Sequence, residues 1–271
     1  MHDLTPEFLQ ATLQAAQKAV EASGTLVREH WDKPRHIRHK KSPKDLVTET
    51  DLAVEALLRD LLPGLVPGSF FMGEEGSAGQ GLDGLVWVVD PVDGTTNFAH
   101  GIPFVATSVA LCHNGDPILA LVNLPILGEL FTAAKGCGTR LNGRPVHVSE
   151  TPTLLEAVVA TGFPYNIDPH LHNILRQLEQ AMPATQGVRR PGAAALDLAY
   201  VACGRFDGFF EFSLNAWDTA AGILLITEAG GRVGRMAGNT AYTPGDPDIL
   251  VSNGHLHEPL QALLTRAAQD A

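Results

Sequence analysis

One segment of the sequence places two carboxylates three residues apart, directly after an apolar run that predicts a strand over Leu85 to Val89. A proline between the two acids predicts a turn, and we expect this turn to bring both carboxylates to one side. Carboxylate and carbonyl oxygens are ligands that Mg²⁺ prefers, and this ion usually also takes oxygens from a phosphate group. The segment that predicts this magnesium site is Asp90-Pro91-Val92-Asp93-Gly94-Thr95-Thr96-Asn97.

The residues that follow Asp93 predict an anion site beside the metal. Gly94, Thr95 and Thr96 open a short helix, whose free N–H groups and positive dipole end attract a phosphate. Each half of the segment also fits an ordinary structural role, because Asp-Pro and Asp-Gly are common in turns and Asp with Thr caps helices. Found together, the two halves favour a site that binds metal and phosphate as neighbours.

The segment resembles the signature of the inositol monophosphatase family, and other motifs of that family follow in the expected order along nearly the whole chain. The resemblance implies an α+β fold, a layered α-β-α-β-α sandwich with mixed sheets. It also implies an Mg²⁺-dependent, lithium-sensitive phosphomonoesterase. The further matching motifs are Asp45-Leu46-Val47-Thr48-Glu49-Thr50-Asp51, Gly73-Glu74-Glu75, Ala134-Lys135-Gly136-Cys137-Gly138 leading to Asn142-Gly143-Arg144-Pro145, and Ala216-Trp217-Asp218-Thr219-Ala220-Ala221-Gly222 followed by Thr227-Glu228-Ala229-Gly230-Gly231.

The resemblance implies that two or three Mg²⁺ ions are held by Glu74, Asp90, Asp93 and Asp218, with the carbonyl of Val92. Four carboxylates from separate segments repel one another unless cations lie between them, so the residues themselves also favour a metal. Two of the acids fit ordinary structural roles equally well. Glu74 fits a solvated turn, and Asp218 fits the start of a helix, where the dipole favours an acid.

Asp51, Glu74 and Thr95 are the catalytic residues that the resemblance implies. Asp51 and Thr95 would together orient and deprotonate a metal-activated water, whose pKa a bound cation lowers from about 15.7 toward 7. A hydroxyl is a poor base by itself, so the carboxylate would accept the proton. Asp51 and Thr48 could equally serve only to cap a helix.

The resemblance also implies a set of substrate contacts. At the position of Ala193 the family usually has a hydroxyl residue, so one hydrogen bond to the substrate is missing here, and Pro191 departs from the pattern too. Lys40, in the basic stretch 35–44, aligns with a lysine of a mobile loop, although it also fits a solvated run of charges. The implied substrate-binding residues are Asp93, Gly94, Thr95, Gly192, Ala193, Ala194, Glu211 and Asp218.

The resemblance implies hydrolysis of the phosphate monoester of a small polyol, first of all inositol 1-phosphate, by direct attack of the metal-activated water. Fructose 1,6-bisphosphate, histidinol phosphate and 3′-phosphoadenosine 5′-phosphate are alternative substrates for the same chemistry. A regulatory partner of the transcription machinery is an alternative of another class. The resemblance further implies a homodimer.

Hydrophobic patterning predicts the elements that position these residues. No linker divides the chain, so we expect residues 1–271 to form a single catalytic domain, with a Gly-rich loop at 136–145. The predicted helices span 6–31, 48–62, 168–181, 193–203, 216–228 and 256–269, and the predicted strands 70–73, 85–89, 105–112, 118–123, 129–133, 158–161, 206–212, 232–235 and 249–251.

Composition excludes several classes of protein. The 271 residues carry a net charge of −11 and have a pI near 5.4, which argues against non-specific nucleic-acid binding. No apolar run reaches the roughly 18 residues of a membrane span, and the N-terminus lacks the pattern of a secretory signal. Three widely spaced cysteines suggest reduced thiols, so we expect a cytoplasmic protein.

Overall fold

The computed structural model describes residues 4–33, 37–40, 45–76, 81–238 and 240–269, with side chains up to residue 265 in the last helix. Of the basic stretch 35–44, only residues 37–40 belong to this described part.

The helices lie close to their predicted positions because local signals mark their ends. Thr5 caps the first helix by accepting a hydrogen bond from the Phe8 N–H at 3.2 Å, and Pro6 follows at the first helical position. In the described residues the helices are α1 (Pro6–Trp31), α2 (Glu49–Leu61), α3 (Thr95–His100), α4 (Leu171–Ala184), α5 (Ala194–Ala202), α6 (Ala216–Glu228) and α7 (His257–Gln269), with short 3₁₀ turns at Pro63–Leu65 and Leu154–Glu156.

The strands form a two-stranded, a seven-stranded and a five-stranded sheet. The pair is β1 (Ile37–His39) and β2 (Leu46–Thr48). The seven-stranded sheet follows chain order, with β3 (Phe70–Gly73), β4 (Leu85–Asp93), β5 (Ala106–His113), β6 (Asp116–Leu124), β7 (Glu129–Ala134), β8 (Thr139–Leu141) and β9 (Arg144–Val146). The five-stranded sheet has the order β11-β10-β12-β14-β13, from β10 (Val158–Thr161), β11 (Gly187–Arg189), β12 (Gly208–Phe212), β13 (Arg232–Gly234) and β14 (Asp248–Ser252). Both larger sheets mix parallel and antiparallel pairs.

Helices and sheets alternate in five layers, as the resemblance implies. Helices α1 and α2 pack on one face of the seven-stranded sheet, and α5 and α6 fill the space between its other face and the five-stranded sheet. Helices α4 and α7 cover the far face of the five-stranded sheet. Strand β4, next to the edge strand β3, contributes alternate side chains to two cores, with Val86 and Val88 in one and Trp87 and Val89 in the other.

Several predicted elements differ from the structure: β2 and β11 were not predicted, and α4 ends at Ala184 and not at 181. The loop predicted at 136–145 contains the hairpin of β8 and β9, whose turn residues Asn142 and Gly143 both have positive φ. The turn-forming residues made the whole segment resemble a loop, so its two short strands were not predicted. Strand β4 continues past Val89 to Asp93, and α4 begins at Leu171 and not at 168. No helix in the described part of the chain is long and apolar enough to cross a membrane.

Candidate functional site

A β-bulge brings the two acids of the central motif to one side of β4. The register against β5 pairs Asp90 with Ser108 and Asp93 with Ala106. Between these two pairs β4 therefore contains one residue more than β5. In a regular strand, residues three apart point to opposite faces, and the extra residue of a bulge restores the same side. The carboxylates therefore share a pocket because the strand bulges, and not because it ends in a turn.

Gly94 follows the bulge in a conformation that favours glycine. Its φ is +85°, and a Cβ atom there would lie 2.8 Å from the carbonyl oxygen of Phe104. The chain thereby turns from β4 directly into α3, which begins at Thr95. Asn97 then secures this corner, because its side-chain amide donates to the carbonyls of Phe104 at 2.8 Å and Pro191 at 2.9 Å.

Glu74 is placed beside Asp90 by the parallel pairing of β3 with β4. Gly73 pairs with Val89, and the Glu74 N–H continues the ladder by donating to the Val89 carbonyl at 3.2 Å. The Lys40 ammonium lies 2.8 Å from Glu74 Oε1, and it also forms an ion pair with Glu75 Oε1 at 2.5 Å. Burial lowers the pKa of Lys40, but the two glutamates raise it by more, so this lysine is held in its charged form.

Asp51 caps a helix and contacts the site at the same time. Its Oδ2 accepts the Thr48 N–H at 2.9 Å and a short bond from the Thr48 hydroxyl, which completes a capping box at the start of α2. Its Oδ1 lies 3.1 Å from Thr95 Oγ1. The capping role and the catalytic role of Asp51 are thus compatible, since each uses a different oxygen. Burial is the main reason that the pKa of Asp51 rises to about 6.

Asp218 and Asp93 also combine helix capping with a place in the pocket. Asp218 Oδ2 accepts the Asn215 N–H at 2.6 Å in the capping box of α6. Asp93 Oδ2 accepts the Ala195 N–H at 2.6 Å, so it provides the oxygen that Ala193, the N-terminal cap residue of α5, lacks. The first turns of α5 and α6 are therefore held by hydrogen bonds to carboxylates of the acidic cluster.

Asp90 is the member of the cluster that carries an unsatisfied buried oxygen. It is 2% exposed, and its Oδ1 has no hydrogen-bond partner among the described residues. Burial raises its pKa well above the ordinary value, and the negative charges of Glu74, Asp93, Asp218 and Asp51 raise it further. Burial likewise raises the pKa values of Asp93 and Asp218. Such a set of acids cannot ionise together without a compensating positive charge.

The donor set fits a hard divalent cation. It consists of carboxylates and the Val92 carbonyl, all lining one pocket, and it includes a buried oxygen that no group in the described part of the chain satisfies. As they stand, no three acidic, histidine or cysteine side chains of the described residues converge on a common point, and Glu74 contacts Lys40 instead. A cation bound by the whole set would therefore compete with Lys40 for Glu74.

Most of the predicted site residues surround one pocket of about 170 Å³. Asp51 and Lys40 lie behind its wall, where they contact Thr95 and Glu74. A larger groove of about 580 Å³ between α1 and the β7–β8 region lacks a comparable group of carboxylates among the described residues. The predicted residues that line the smaller pocket are Glu74, Asp90, Val92, Asp93, Gly94, Thr95, Gly192, Ala193, Ala194, Glu211 and Asp218.

Sequence reasoning missed three charged residues of this site. Glu75 adds a second acid beside Lys40, while Asp197 and Arg190 line the pocket. A signal for Asp197 was present, because it is the one charged residue in the otherwise apolar helix α5. No comparable signal marks Arg190, since an arginine between β11 and α5 is typical of an ordinary loop.

Comparisons with known proteins agree with this geometry. Residues 9–271 match the family model described as the inositol monophosphatase family. The chain is 39% identical to the inositol-1-monophosphatase of Synechocystis, over 98% of this chain and 92% of that protein. It is 43% identical to the Nus factor SuhB of Pseudomonas aeruginosa, over 86% of this chain and 89% of that protein. The solved structure of an inositol monophosphatase from Anabaena superposes with a TM-score of 0.86 at 35% identity, covering 95% of this chain and 96% of that one.

Proposed function

Because the chain belongs to the inositol monophosphatase family and is therefore a phosphoric monoester hydrolase, we propose that it hydrolyses the phosphate monoester of a small polyol, first of all inositol 1-phosphate, with Mg²⁺. The observation that carries the proposal is the buried, unpartnered Oδ1 of Asp90 among carboxylates that line the same pocket as the start of α3. A cation would offset their repulsion, and the N–H groups of Gly94 and Thr95 would face the phosphate.

We assign the metal to Glu74, Asp90, Asp93 and Asp218 with the Val92 carbonyl. When bound there, Mg²⁺ supplies Lewis-acid stabilisation of the phosphate and makes water easier to deprotonate. The number of ions, two or three, stays a prediction of the resemblance.

Thr95 and Asp51 provide a route for the proton of the attacking water. Thr95 Oγ1 lies 3.1 Å from Asp51 Oδ1 and 3.1 Å from the Val92 carbonyl oxygen, so its single proton can be donated to either. When it is donated to Asp51, the Thr95 oxygen is free to accept a proton from water. Burial raises the pKa of Asp51 to about 6, which makes it a stronger base than an exposed aspartate.

The remaining pocket residues would hold the polyol. Glu211 is 8% exposed and lines the pocket together with Gly192, Ala193 and Ala194. A carboxylate accepts hydrogen bonds from hydroxyl groups, which suits a substrate with several of them. Lys40 is assigned a supporting role, because it binds Glu74 and Glu75 from behind the pocket.

A side-by-side assay of phosphate release identifies the substrate. With Mg²⁺ present, we expect inositol 1-phosphate to give a kcat/KM at least about tenfold above those of fructose 1,6-bisphosphate, histidinol phosphate and 3′-phosphoadenosine 5′-phosphate, because hydroxyl-specific contacts discriminate strongly. Lithium is expected to inhibit the same reaction. A higher kcat/KM for one of the other three would move the proposal to that substrate.

The pKa values of Asp90, Asp93 and Asp218 predict how pH affects the stability of the metal-free protein. Because burial raises these pKa values above those of the unfolded chain, the folded state binds more protons above about pH 4, and its stability falls as pH rises. Each carboxyl changes the free energy of unfolding by at most about 1.4 kcal/mol per pH unit.

Differential scanning calorimetry in chelator is expected to give a lower Tm near pH 8 than near pH 5, at constant ionic strength. Mg²⁺ should raise the Tm more at the higher pH, where its ligands are ionised. Asp90→Asn serves as the comparison, because it should weaken both effects. An equal gain from Mg²⁺ at the two pH values would contradict the assignment.

A second candidate function is a regulatory partner of the transcription machinery. It is favoured by one observation, the 43% identity to a protein named Nus factor SuhB. Co-purification of RNA polymerase subunits with both the wild-type protein and its Asp90→Asn variant would support it, since such binding needs no phosphatase chemistry. Loss of co-purification in the variant would tie any association to the active site.

Three further expectations stay predictions. These are the single catalytic domain over residues 1–271, the homodimer and the cytoplasmic location. For a dimer, α4 offers an exposed apolar stripe formed by Leu171, Leu175 and Met182, whereas the strands β5 and β6 are buried within the chain.

A further inference from the structure

Asp197 is a buried carboxyl that the proposed mechanism does not use. It is 1% exposed, it lines the candidate active-site pocket, and within the described ranges of the chain its Oδ1 has no hydrogen-bond partner. The rest of α5 is apolar and packs in the central core between the two sheets. An unsatisfied buried carboxyl destabilises the fold, so its presence in such a helix suggests that a ligand completes its hydrogen bonds.

Asp197 lies one helical turn after Ala193, the position at which the family usually has a hydroxyl side chain. Ala193 is the N-terminal cap residue of α5, and the Asp197 N–H donates to its carbonyl at 3.0 Å, which is the first helical hydrogen bond of α5. Residues four apart share a helix face, and side chains lean toward the N-terminus. The Asp197 carboxyl therefore leans toward the segment where the family's usual hydroxyl side chain is missing.

Asp197 shares the pocket with other charged residues, among them Glu211 and Arg190. The negative charge of Glu211 and the positive charge of Arg190 both act on its carboxyl, as does Asp93. The Arg190 guanidinium stacks over the ring of Phe163 at 5.2 Å, and its Nη1 would lie 2.8 Å from a Cβ on Gly192. This arrangement provides hydrogen-bond donors on the arginine and acceptors on the two acids within one pocket.

We propose that Asp197 is a further substrate-contacting residue, which with Glu211 and Arg190 recognises the hydroxyl groups of the polyol and thereby helps to determine specificity. The proposal rests on the proposed function, because it concerns the same pocket. A pocket that offers both donors and acceptors suits neighbouring hydroxyls, each of which both donates and accepts. These three residues would form no such hydrogen bonds with a phosphate ester that lacks hydroxyl groups.

The test compares two substrates, inositol 1-phosphate and p-nitrophenyl phosphate, which has no alcohol hydroxyl groups. Asp197→Ala is expected to lower kcat/KM for inositol 1-phosphate by about 10- to 100-fold, mainly through KM, and to change that for p-nitrophenyl phosphate by less than about threefold. Asp197→Asn keeps the shape and part of the hydrogen bonding, so we expect a smaller loss of about three- to tenfold.

Asp207→Asn is the matched control. Asp207 is also buried, but it bonds the Ser149 hydroxyl at 2.5 Å and the Val158 N–H at 2.7 Å, outside the pocket. Its replacement should lower the Tm without changing the ratio of kcat/KM between the two substrates. If Asp197→Ala does not fold, the ratio measured for Asp197→Asn decides.

Equal losses on both substrates, or no loss on either, would overturn the proposal. Failure of the wild-type protein to release phosphate from any polyol phosphate would refute the proposed function and with it this inference. That failure appears before any variant is made, so the two outcomes are distinguishable.

Discussion

Replacing Asp90 with Asn is expected to lower Mg²⁺-dependent phosphate release by about 10³-fold or more, because it removes one charge from the set that we propose holds the metal. The substitution preserves the size of the side chain, so the bulge of β4 and its pairing with β5 should persist. Loss of kcat should therefore reflect the missing charge and not a misfolded strand. Initial rates of phosphate release over a range of Mg²⁺ concentrations measure the effect.

The same substitution is expected to stabilise the metal-free protein. Asp90 is buried with an unpartnered Oδ1 among four other acids, so the neutral amide relieves repulsion that the wild-type protein must bear without a cation. Asp116→Asn, at an exposed hairpin turn, is the matched control and should change neither activity nor Tm. Near-normal turnover by Asp90→Asn, or a lower Tm in chelator, would contradict the assigned role.

The second large effect is expected at the pair formed by Thr95 and Asp51. Thr95→Val removes the hydroxyl that would link water to Asp51, and Asp51→Asn removes the proposed proton acceptor, so each should lower kcat by about 10²- to 10⁴-fold. Because the two groups would act as one relay, the double variant should be little worse than either single variant. Thr95→Ser retains the hydroxyl and should retain most of the activity.

Asp51→Asn also disturbs the capping box of α2, which on its own costs about 1 kcal/mol of stability. Assays at a temperature well below the Tm of each variant separate this effect from catalysis. Losses that multiply in the double variant would show that Thr95 and Asp51 act independently, contrary to the relay.

Local signals made the long elements predictable. The bounds of α1 agree with the sequence analysis because a Thr-Pro start and apolar residues at helical spacing define it. Those of α6 also agree, although this helix is buried on nearly all sides and its start is marked by the capping box of Asn215 and Asp218. The hairpin of β8 and β9 escaped prediction, since strands of three residues carry too few side chains to show alternation. Long-range pairing is what places Glu74 beside Asp90, and no local pattern encodes that register.

The sequence allowed most of the site residues to be identified, but it did not show which of them contact one another. Resemblance supplied the acids, yet the contact of Lys40 with both Glu74 and Glu75 depends on how a basic stretch folds back onto β3. The dual use of Asp51, Asp93 and Asp218 as helix caps and pocket carboxylates also appears only in three dimensions. A sequence pattern favours a single role for such residues, whereas a carboxylate has two oxygens and can serve two roles.

The central claim is that this pocket hydrolyses a polyol phosphate only when a divalent cation offsets its carboxylates. It is tested most directly by phosphate release from inositol 1-phosphate, measured with the wild-type protein after chelation and then during the stepwise return of Mg²⁺. We predict no release above background in chelator and full recovery as Mg²⁺ is restored. Turnover that continues unchanged in chelator would contradict the claim.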